Sequence, residues 1–298
     1  RVDRWGEFGL RSRILYGDRN WRFFFAIVFL LRSKSEIVYL NGVYSVRGVV
    51  IPLLLLKLGL ISQKVVLAPR GMLQKNALSE KSFKKKLFLP VLRWLLSKDV
   101  DVQVTSQREA IEFRQVMPGV DGSKIHTVGN VPNTHIKYRE THQFGGQSNL
   151  VTIALVSPMK NILLVLQSLA TEIKKVSYDI YGPIKDKDYW AECLSVINTL
   201  PCNIVVNYRG VLVPKEVPSV LERYDFYVQP SKSENFGHSI FEAMMVGLPV
   251  ITSRATPWSK LETNRGGWNI DGEEELGIAI VDALRLSKAE YREMSRAA

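Results

Sequence analysis

Short apolar runs alternate with amphipathic segments along the second half of the chain. The apolar runs predict strands at Leu150–Val156, Val176–Tyr181, Asn203–Tyr208, Phe226–Gln229 and Pro249–Thr252. The segments that follow them predict helices at Asn161–Lys174, Asp188–Asn198, Pro214–Arg223, His238–Val246 and Glu274–Leu286. Short strands that alternate with amphipathic helices are typical of βαβ units, so we expect a parallel sheet with helices on both faces.

The first half of the chain repeats this alternation less regularly. It predicts strands at Glu36–Leu40, Lys64–Ala68, Val100–Thr105 and Ile125–Val128, and helices at Trp21–Leu31, Val46–Leu58, Phe83–Leu96 and Gln107–Val116. Between the halves, Tyr138–Asn149 is polar and contains Gly145 and Gly146, which favours a domain boundary there. The pattern therefore predicts two α/β domains, residues 1–145 and residues 146–298.

The composition is that of a globular protein. Of 298 residues, 46% are hydrophobic and 23% are charged, which excludes disordered and collagen-like classes. Cys193 and Cys202 are too few for a disulfide framework or a structural zinc site, and they favour a reducing, cytosolic compartment. The longest apolar run, Val49–Leu56, resumes after Lys57 and ends at Ile61, and the run Phe23–Leu31 is shorter still. Both fall short of the roughly 20 residues of a membrane-spanning helix.

Charge is distributed unevenly between the halves. Residues 1–145 contain 24 Lys and Arg against 11 Asp and Glu, a net charge of +13, whereas the whole chain carries +11. A basic half favours a negatively charged partner, namely nucleic acid, a membrane surface or a phosphorylated substrate. The segment Lys81–Lys98 mixes Lys and Arg with Phe, Leu and Trp around Pro90, which we expect to kink it. It fits either a patch on anionic lipid or a half-buried helix with one solvated face.

The most distinctive chemistry lies in Pro230–Ser253, directly after a predicted strand. Glu234 lies in the predicted loop and Glu242 in the following helix, with seven residues between them. The free N–H groups and dipole of that helix start can hold a diphosphate without metal. Glu242 can accept hydrogen bonds from a ribose diol, and Glu234 from a sugar beyond the phosphates. From the residues alone, both glutamates could equally be solvated charges, although Glu242 lies in an otherwise apolar stretch.

The same segment resembles the glutamate–seven–glutamate motif of family-4 glycosyltransferases, and it continues into the run Ala-Met-Met and then Gly-Leu-Pro-Val at 247–250. More narrowly, the chain resembles a bacterial polysaccharide-building subgroup. Its motifs are Glu-Asn-Phe-Gly-His at 234–238, Thr-Pro-Trp at 256–258 and Pro-Arg-Gly at 69–71. The similarity extends from Glu36 to Leu284.

The resemblance implies a GT-B fold, in which two Rossmann-like domains face a cleft, and a retaining glycosyltransferase. The expected donor is a UDP- or GDP-linked sugar, with no metal or other cofactor. The expected acceptor is a glycan or a lipid-linked molecule in the synthesis of lipopolysaccharide, capsule or exopolysaccharide. The expected location is cytoplasmic, with peripheral contact between the basic half and an anionic membrane; nucleic acid is not an expected partner.

The resemblance also implies roles for individual residues. Glu242 would hold the donor ribose, and Glu234 would contact the transferred sugar. Lys160 would neutralise the departing diphosphate, although a lysine here could also be an ordinary helix-start residue. Arg70 and Gly71 would lie on the acceptor side. The catalytic candidates are thus Glu234, Arg70 and Lys160, and the donor-binding candidates are Lys160, Asn235, Phe236, Gly237, His238, Ser239 and Glu242.

Three features depart from the family pattern. Leu155 stands where many members have an arginine five residues before the lysine, so one cationic contact is lost or supplied elsewhere. Arg70 stands where many members have a histidine, and a guanidinium cannot act as a base at neutral pH. The usual first strand and glycine-rich loop are not recognisable before Glu36, and the chain stops soon after Leu284. We therefore expect truncation at both ends.

Other signals carry less weight. Asp99-Val100-Asp101 and Asp186-Lys187-Asp188 match the short Asp-x-Asp pattern of metal-dependent glycosyltransferases, but three-residue matches are common by chance, and no metal site is predicted. Two rival functions stay open. One is a catalytically silent or fragmentary relative that only binds nucleotide sugar. The other is a nucleic-acid-binding protein that uses the basic half, against which no RNA-module motif is present.

Overall fold

The structure is a computed structural model that describes residues 6–7, 13–14, 27–32, 35–74, 82–96, 99–130, 138 and 148–298. It divides into two compact units, an N-terminal unit of residues 1–129 and a C-terminal unit of residues 130–298. The predicted boundary between 145 and 146 lies outside the described residues and stays a prediction.

The N-terminal unit contains a four-stranded parallel sheet in sequential order. Its strands are β1 (Ile37–Asn41), β2 (Lys64–Ala68), β3 (Val100–Val104) and β4 (Ile125–Thr127). Its helices are α1 (Ile51–Lys57), which a π-helical turn at Val46–Val50 precedes, α2 (Ser82–Leu95) and α3 (Gln107–Val116). A 3-10 turn lies at Gly122–Lys124, a two-residue antiparallel pair joins Gly6–Glu7 to Arg13–Ile14, and residues 27–32 are helical.

All four strands of this sheet match the predicted ones to within a residue at each end. All apolar side chains of β2 and β3 except the partly buried Val66 are buried, because a parallel sheet is covered on both faces. Helix α2 is continuous across Pro90. The N-terminal part of the predicted helix Trp21–Leu31 lies outside the described residues.

The C-terminal unit contains a six-stranded parallel sheet. Its strands are β5 (Ser148–Ile153), β6 (Val176–Tyr181), β7 (Ile204–Gly210), β8 (Phe226–Gln229), β9 (Val250–Ser253) and β10 (Gly267–Ile270). Its helices are α4 (Ile162–Leu169), α5 (Lys187–Ile197), α6 (Val217–Leu221), α7 (His238–Met245), α8 (Glu273–Arg285) and α9 (Lys288–Ala297), with 3-10 turns at Pro158–Lys160 and Pro214–Glu216.

The strand order of this sheet is β10-β9-β8-β5-β6-β7, so the direction of winding reverses between β5 and β8. The helices that follow these two strands, α4 and α7, pack on opposite faces of the sheet. Open parallel sheets bind ligands at such a reversal, outside the carboxyl ends of the strands. The fold alone therefore singles out the loop after β5 and the loop after β8.

Both faces of the C-terminal sheet are covered. On one face, Leu150, Tyr178 and Phe226 are buried in a core that α4 and α8 complete. On the other, Val151 and Tyr227 are buried in a second core with residues of α6 and α7. Alternate residues of one strand thus enter different cores, as the two-residue period of a strand requires. The predicted α/β plan of two parallel-sheet domains is confirmed.

Three details of the predicted plan are wrong or incomplete. Helix α4 ends at Leu169 rather than Lys174, since the buried Glu172 carboxylate accepts the N–H groups of the next two residues, each at 2.8 Å, and forms a turn. Strand β10 and helix α9 were not predicted. Helix α9 belongs to the fold, because its Tyr291 side chain is buried and its hydroxyl donates to the Asp225 carbonyl oxygen at 2.9 Å.

Candidate functional site

The loop after β5 is held in a defined path. The Val156 N–H donates to the Pro183 carbonyl oxygen at 3.0 Å, and Asn161 takes up the left-handed conformation with φ of 59°. Between them, the 3-10 turn Pro158–Lys160 presents Lys160 just before α4 begins. The Lys232 N–H donates to the Met159 carbonyl oxygen at 2.9 Å, so this loop is joined to the loop after β8.

Lys160 and Glu234 meet at the point where the sheet reverses. Lys160 Nζ donates to Glu234 Oε1, and both side chains are largely buried. The same oxygen accepts from Gln229 Nε2 at 2.8 Å and from Ser231 Oγ at 3.1 Å. Three donors on Oε1 orient the carboxylate, and within the described part of the chain Oε2 has no hydrogen-bond partner. A lysine has three N–H donors, so one bond to Glu234 leaves two for a ligand.

Helix α7 begins beside this ion pair. Gly237 precedes it in the left-handed conformation, with φ of 77°, and no side chain caps the helix. A Cβ at Gly237 would lie 3.0 Å from Ile240 Cδ1, so close packing and backbone conformation both favour glycine here. Because the first backbone bond that closes the helix is from Phe241 N–H to Gly237 O, the uncapped helix start suits an anion.

The predicted donor-binding residues around this helix start differ in environment. Phe236 contacts the exposed His238, with ring centroids 4.7 Å apart. Asn235 is partly buried in the same loop. Ser239 lies in the first turn, with its Oγ 2.8 Å from the Tyr227 hydroxyl, which also contacts the Ile153 carbonyl oxygen at 3.2 Å. The first turn of α7 is thus tied to the end of β5.

The Thr-Pro-Trp turn at 256–258 supports the loop after β8. Trp258 Nε1 donates to the Phe236 carbonyl oxygen at 2.5 Å, and the two rings are 5.4 Å apart. The buried Asn269 side chain of β10 donates to the Trp258 carbonyl oxygen at 2.8 Å. The turn therefore holds the backbone of the run 234–238 in place from the side of β10.

Glu242 lies one turn into α7 and differs from Glu234. Its side chain is half-buried, and burial raises the pKa of its carboxyl. Within the described part of the chain, the carboxylate has no hydrogen bond and no ion pair. A half-buried carboxylate that keeps open acceptor positions suits a ligand that brings its own hydroxyl donors.

Leu155 stands where the resemblance leads us to expect an arginine, and whether another cation takes over that contact stays a prediction. Leu155 is exposed in the loop after β5. Arg209, near the end of the edge strand β7, donates from Nε to the Asp179 carboxylate of β6 at 2.7 Å. That guanidinium is therefore engaged with an internal carboxylate, and Lys160 is the cation held against Glu234 in this loop.

In the N-terminal unit, the Pro-Arg-Gly run forms the turn after β2. Arg70 adopts a positive φ of 54°, and its guanidinium donates to Asn41 Oδ1 at 3.2 Å and to the Tyr39 hydroxyl at 2.9 Å. Tyr39 and Asn41 belong to the neighbouring strand β1. The structure thus places Arg70 and Gly71 at the carboxyl edge of this sheet, where active residues of parallel sheets lie.

Glu109 anchors this turn and was not singled out from the sequence. It is buried in the first turn of α3, where Oε1 accepts from the Gly71 N–H at 2.5 Å. Oε2 accepts from the Thr105 N–H at 2.7 Å and from the Thr105 hydroxyl at 2.6 Å. The spacing from Ser106 to Glu109 is that of a capping box, and Ser106 Oγ accepts from the Glu109 N–H at 3.1 Å, but that spacing predicts neither the bonds to Thr105 nor the bond to Gly71.

Two of the four aspartates that match the Asp-x-Asp pattern have structural roles. Asp101 is buried, 3.1 Å from Lys64 and 2.9 Å from His126. Asp186 caps α5 by accepting from the Tyr189 N–H at 3.1 Å. Among the described residues, no group of three or more His, Cys, Asp or Glu side chains is placed to hold a metal ion. The same part of the chain contains no helix with the length and apolar character needed to cross a membrane.

Comparison with protein families and solved structures places this geometry in context. The family model described as glycosyl transferases group 1 matches residues 136–298, which contain every element of the Lys160 and Glu234 site. The fold is similar to Anabaena Alr3699/HepE in complex with UDP-glucose, with a TM-score of 0.73 and 18% identity over 93% of this chain and 76% of that one. It is also similar to WaaG, a glycosyltransferase involved in lipopolysaccharide biosynthesis, with a TM-score of 0.67 and 14% identity over 92% of this chain and 76% of that one.

A curated relative is similar in sequence over part of its length. The alpha-monoglucosyldiacylglycerol synthase of Streptococcus pneumoniae is 28% identical over 144 residues, which are 47% of this chain and 32% of that protein. The chain thus spans about a third of the length of this relative.

Proposed function

The chain belongs to the group 1 glycosyl transferases, and we propose that it moves a sugar from a nucleotide-diphosphate donor to a glycan or lipid-linked acceptor. One observation carries the proposal. At the reversal of the C-terminal sheet, Lys160 is held against Glu234 beside the uncapped start of α7, while Glu242 on that helix keeps an open carboxylate. A cation, a helix N-terminus and two carboxylates match the chemical parts of a sugar nucleotide.

Each part of the donor has a group suited to it. The diphosphate is bound by Lys160 and by backbone N–H groups of residues 235–239, which lead into α7 or form its first turn. The ribose diol donates to Glu242. The transferred sugar donates to Oε2 of Glu234, whose other oxygen is already occupied by protein donors.

The proposed reaction retains the configuration of the sugar and uses no metal. The bond between the sugar carbon and the diphosphate oxygen breaks, and negative charge builds up on the diphosphate. Lys160 and the start of α7 stabilise that charge. The acceptor hydroxyl forms the new bond on the face that the diphosphate leaves, and its proton passes to a diphosphate oxygen. Arg70 acts on the acceptor as a hydrogen-bond donor, because its guanidinium cannot accept a proton.

The names of similar proteins support a first choice of donor and acceptor. HepE is described in complex with UDP-glucose, WaaG is described as involved in lipopolysaccharide biosynthesis, and the streptococcal relative is named as a synthase of a glucosyl lipid. We therefore take UDP-glucose as the first donor to test, and a surface polysaccharide or a lipid-linked precursor as the acceptor class, with synthesis on the cytoplasmic side of the membrane.

Peripheral contact with an anionic membrane is part of the proposal. On α2, Leu87 is 72% exposed and Trp94 is 58% exposed. Lys57 Nζ lies 4.2 Å from the centre of the Trp94 ring, and Leu58 beside it is also exposed. Apolar side chains next to cations, in a half of the chain with net charge +13, suit the headgroup region of an anionic bilayer. Sedimentation with vesicles that contain anionic lipid, but not with neutral vesicles, would support this contact. Sedimentation with neither kind of vesicle, or equally with both, would contradict it.

The decisive experiment for the donor site is calorimetric binding of UDP, GDP, ADP and their glucose or mannose conjugates. We expect one nucleotide to bind, and Glu242→Ala to weaken it at least tenfold, about 1.4 kcal/mol. Glu274→Ala is the matched control, since this glutamate is exposed at the start of α8. No binding to a folded wild-type protein would refute the donor site. Binding without transfer or donor hydrolysis would favour the catalytically silent alternative.

A further inference from the structure

The side chain of Gln229 occupies the centre of the hydrogen-bond network beneath the donor site. Gln229 is the last residue of β8 and is fully buried. Its Nε2 donates to Glu234 Oε1 at 2.8 Å and to Ser231 Oγ at 3.1 Å. Its Oε1 lies 2.5 Å from the Tyr227 hydroxyl and 3.1 Å from Ser239 Oγ. Both donors and both acceptor positions of the amide are thus used.

The partners determine which way the amide faces. On one side lies a carboxylate oxygen, which accepts and cannot donate when ionised. On the other side lie two hydroxyls, from Tyr227 and Ser239, which can donate. Burial raises the pKa of the Tyr227 hydroxyl, so it remains a neutral donor. Rotating the amide by half a turn would set its oxygen against the Glu234 carboxylate, so a single orientation is favoured.

The network fixes one oxygen of Glu234 and leaves the other open. Oε1 takes donors from Gln229 at the end of β8, from Ser231 in the loop after it and from Lys160 in the loop after β5. Within the described residues, Oε2 has no such partner. A carboxylate held by one oxygen presents the second in a fixed direction, which lowers the entropy cost of accepting a ligand hydroxyl.

We infer that Gln229 is a positioning residue that orients Glu234 toward the donor sugar. The inference rests on the proposed donor site and extends it, because Gln229 itself touches neither nucleotide nor sugar. In the proposed site the open oxygen of Glu234 binds the transferred sugar, so a loss of its orientation weakens the sugar end of the donor more than the nucleotide end, to which Lys160 and Ser239 of the same network belong. Gln229 therefore raises the affinity for a nucleotide sugar more than the affinity for the free nucleotide.

The test compares binding of UDP with binding of UDP-glucose, or of the cognate pair that calorimetry identifies. We expect Gln229→Met to bind UDP within about twofold of wild type, and the affinity ratio of UDP-glucose to UDP to fall about five- to tenfold. In a Glu234→Ala background, Gln229→Met should cause no further fall in that ratio, because the group through which it acts is absent. If Gln229→Met does not fold, Gln229→Asn, which keeps the amide on a shorter side chain, replaces it in the same comparison.

Thr252→Val is the matched control. The Thr252 hydroxyl donates to the main-chain carbonyl oxygen of Gln229 at 2.7 Å, so its loss removes a buried bond from the same residue without touching the side-chain amide. We expect the control to lower stability and to leave the ratio unchanged. An unchanged ratio in both Gln229 variants, an equal loss of UDP and UDP-glucose binding, or a further fall in the Glu234→Ala background would overturn the inference. Absence of nucleotide binding by wild type would instead refute the donor site, and the inference with it.

Discussion

Replacement of Glu109 by glutamine tests whether a buried carboxylate holds the turn that carries Arg70. In the native protein, the two carboxylate oxygens accept three hydrogen bonds, one from Gly71 and two from Thr105. A glutamine has a single oxygen at that place. If the oxygen faces Thr105, the new NH2 group faces the Gly71 N–H, and if it faces Gly71, the Thr105 N–H loses its acceptor. Either orientation removes at least one of the three hydrogen bonds and sets the new NH2 group against a backbone N–H donor.

The expected magnitude follows from the bonds that are lost. A hydrogen bond to a charged group contributes about 1.5–3 kcal/mol, and the bonds that remain are no longer charge-assisted. We therefore expect Glu109→Gln to lower the free energy of unfolding by about 2–3 kcal/mol. The assay is urea unfolding, in which the midpoint should fall while the slope with denaturant stays constant. Affinity for nucleotide should not change, because the donor residues belong to the C-terminal unit.

Glu112→Gln on the same helix is the control for this experiment. Its carboxylate makes one long ion pair, with the largely exposed Arg108 at 3.4 Å, and among the described residues its other oxygen is buried without a hydrogen-bond partner, so an amide should change the free energy of unfolding by less than about 1 kcal/mol. If Glu109→Gln lowers the free energy of unfolding by no more than this control, the carboxylate does not hold the turn. Loss of sugar transfer with stability unchanged would also contradict the argument, because the effect on Arg70 is expected to act through the turn.

Three further predictions concern backbone space and titration. Gly182→Ala should lower the free energy of unfolding by more than about 3 kcal/mol, since φ of Gly182 is 131° and a Cβ would lie 1.9 Å from a backbone carbonyl oxygen. As a control, Gly277→Ala in open space on α8 should raise the free energy of unfolding by up to about 1 kcal/mol. Burial raises the pKa of Glu242, so its contribution to stability is present at low pH and is lost as pH rises through its pKa in the folded state. Glu242→Gln should flatten this decline in the free energy of unfolding, measured with urea across the acidic range, and should also weaken nucleotide binding. The hydrogen bond from His126 lowers the pKa of Asp101; nearby lysines lower it further, while burial opposes the shift. The ionised Asp101 therefore stabilises the fold at a pH above its pKa in the unfolded state, and this stabilisation is lost as pH falls through its pKa in the folded state. Asp101→Asn should remove this acid dependence in urea unfolding, and an unchanged pH profile would refute the argument.

Nine of the ten strands of the two sheets could be predicted, because each is a short run rich in apolar and β-branched residues. The elements that were missed lack that signal. Strand β10 is the segment Gly-Trp-Asn-Ile, which follows another glycine and has few apolar residues to alternate. Helix α9 contributes Tyr291 to the core, but most of its residues are polar. Its capping box, from Ser287 to Glu290, was readable in the sequence and marks where the helix begins.

The candidate site, too, could be predicted only in part. The positions of Lys160 and Glu234 after two strands predict that both side chains lie at the carboxyl edge of one sheet, and the structure brings them into contact. That β5 and β8 are neighbours depends on strand order, which the apolar pattern does not contain. Gln229 was missed for a related reason. A glutamine at the end of an apolar strand has no distinctive spacing, and its importance lies in four partners that the fold assembles.

The number of protein hydrogen bonds that a buried carboxylate accepts distinguishes a structural role from a functional one. Glu109, Asp179 and Asp225 are buried, and each accepts at least two hydrogen bonds from nearby protein groups. A buried charge needs such hydrogen bonds in a stable fold. Glu242 is half-buried, has a raised pKa and receives no such bond within the described residues. An apolar or amide side chain there would be the more stable choice, so retaining a carboxylate is explained by a ligand that supplies the missing donors. A variant that gains stability and loses nucleotide affinity together would be the direct signature of that role.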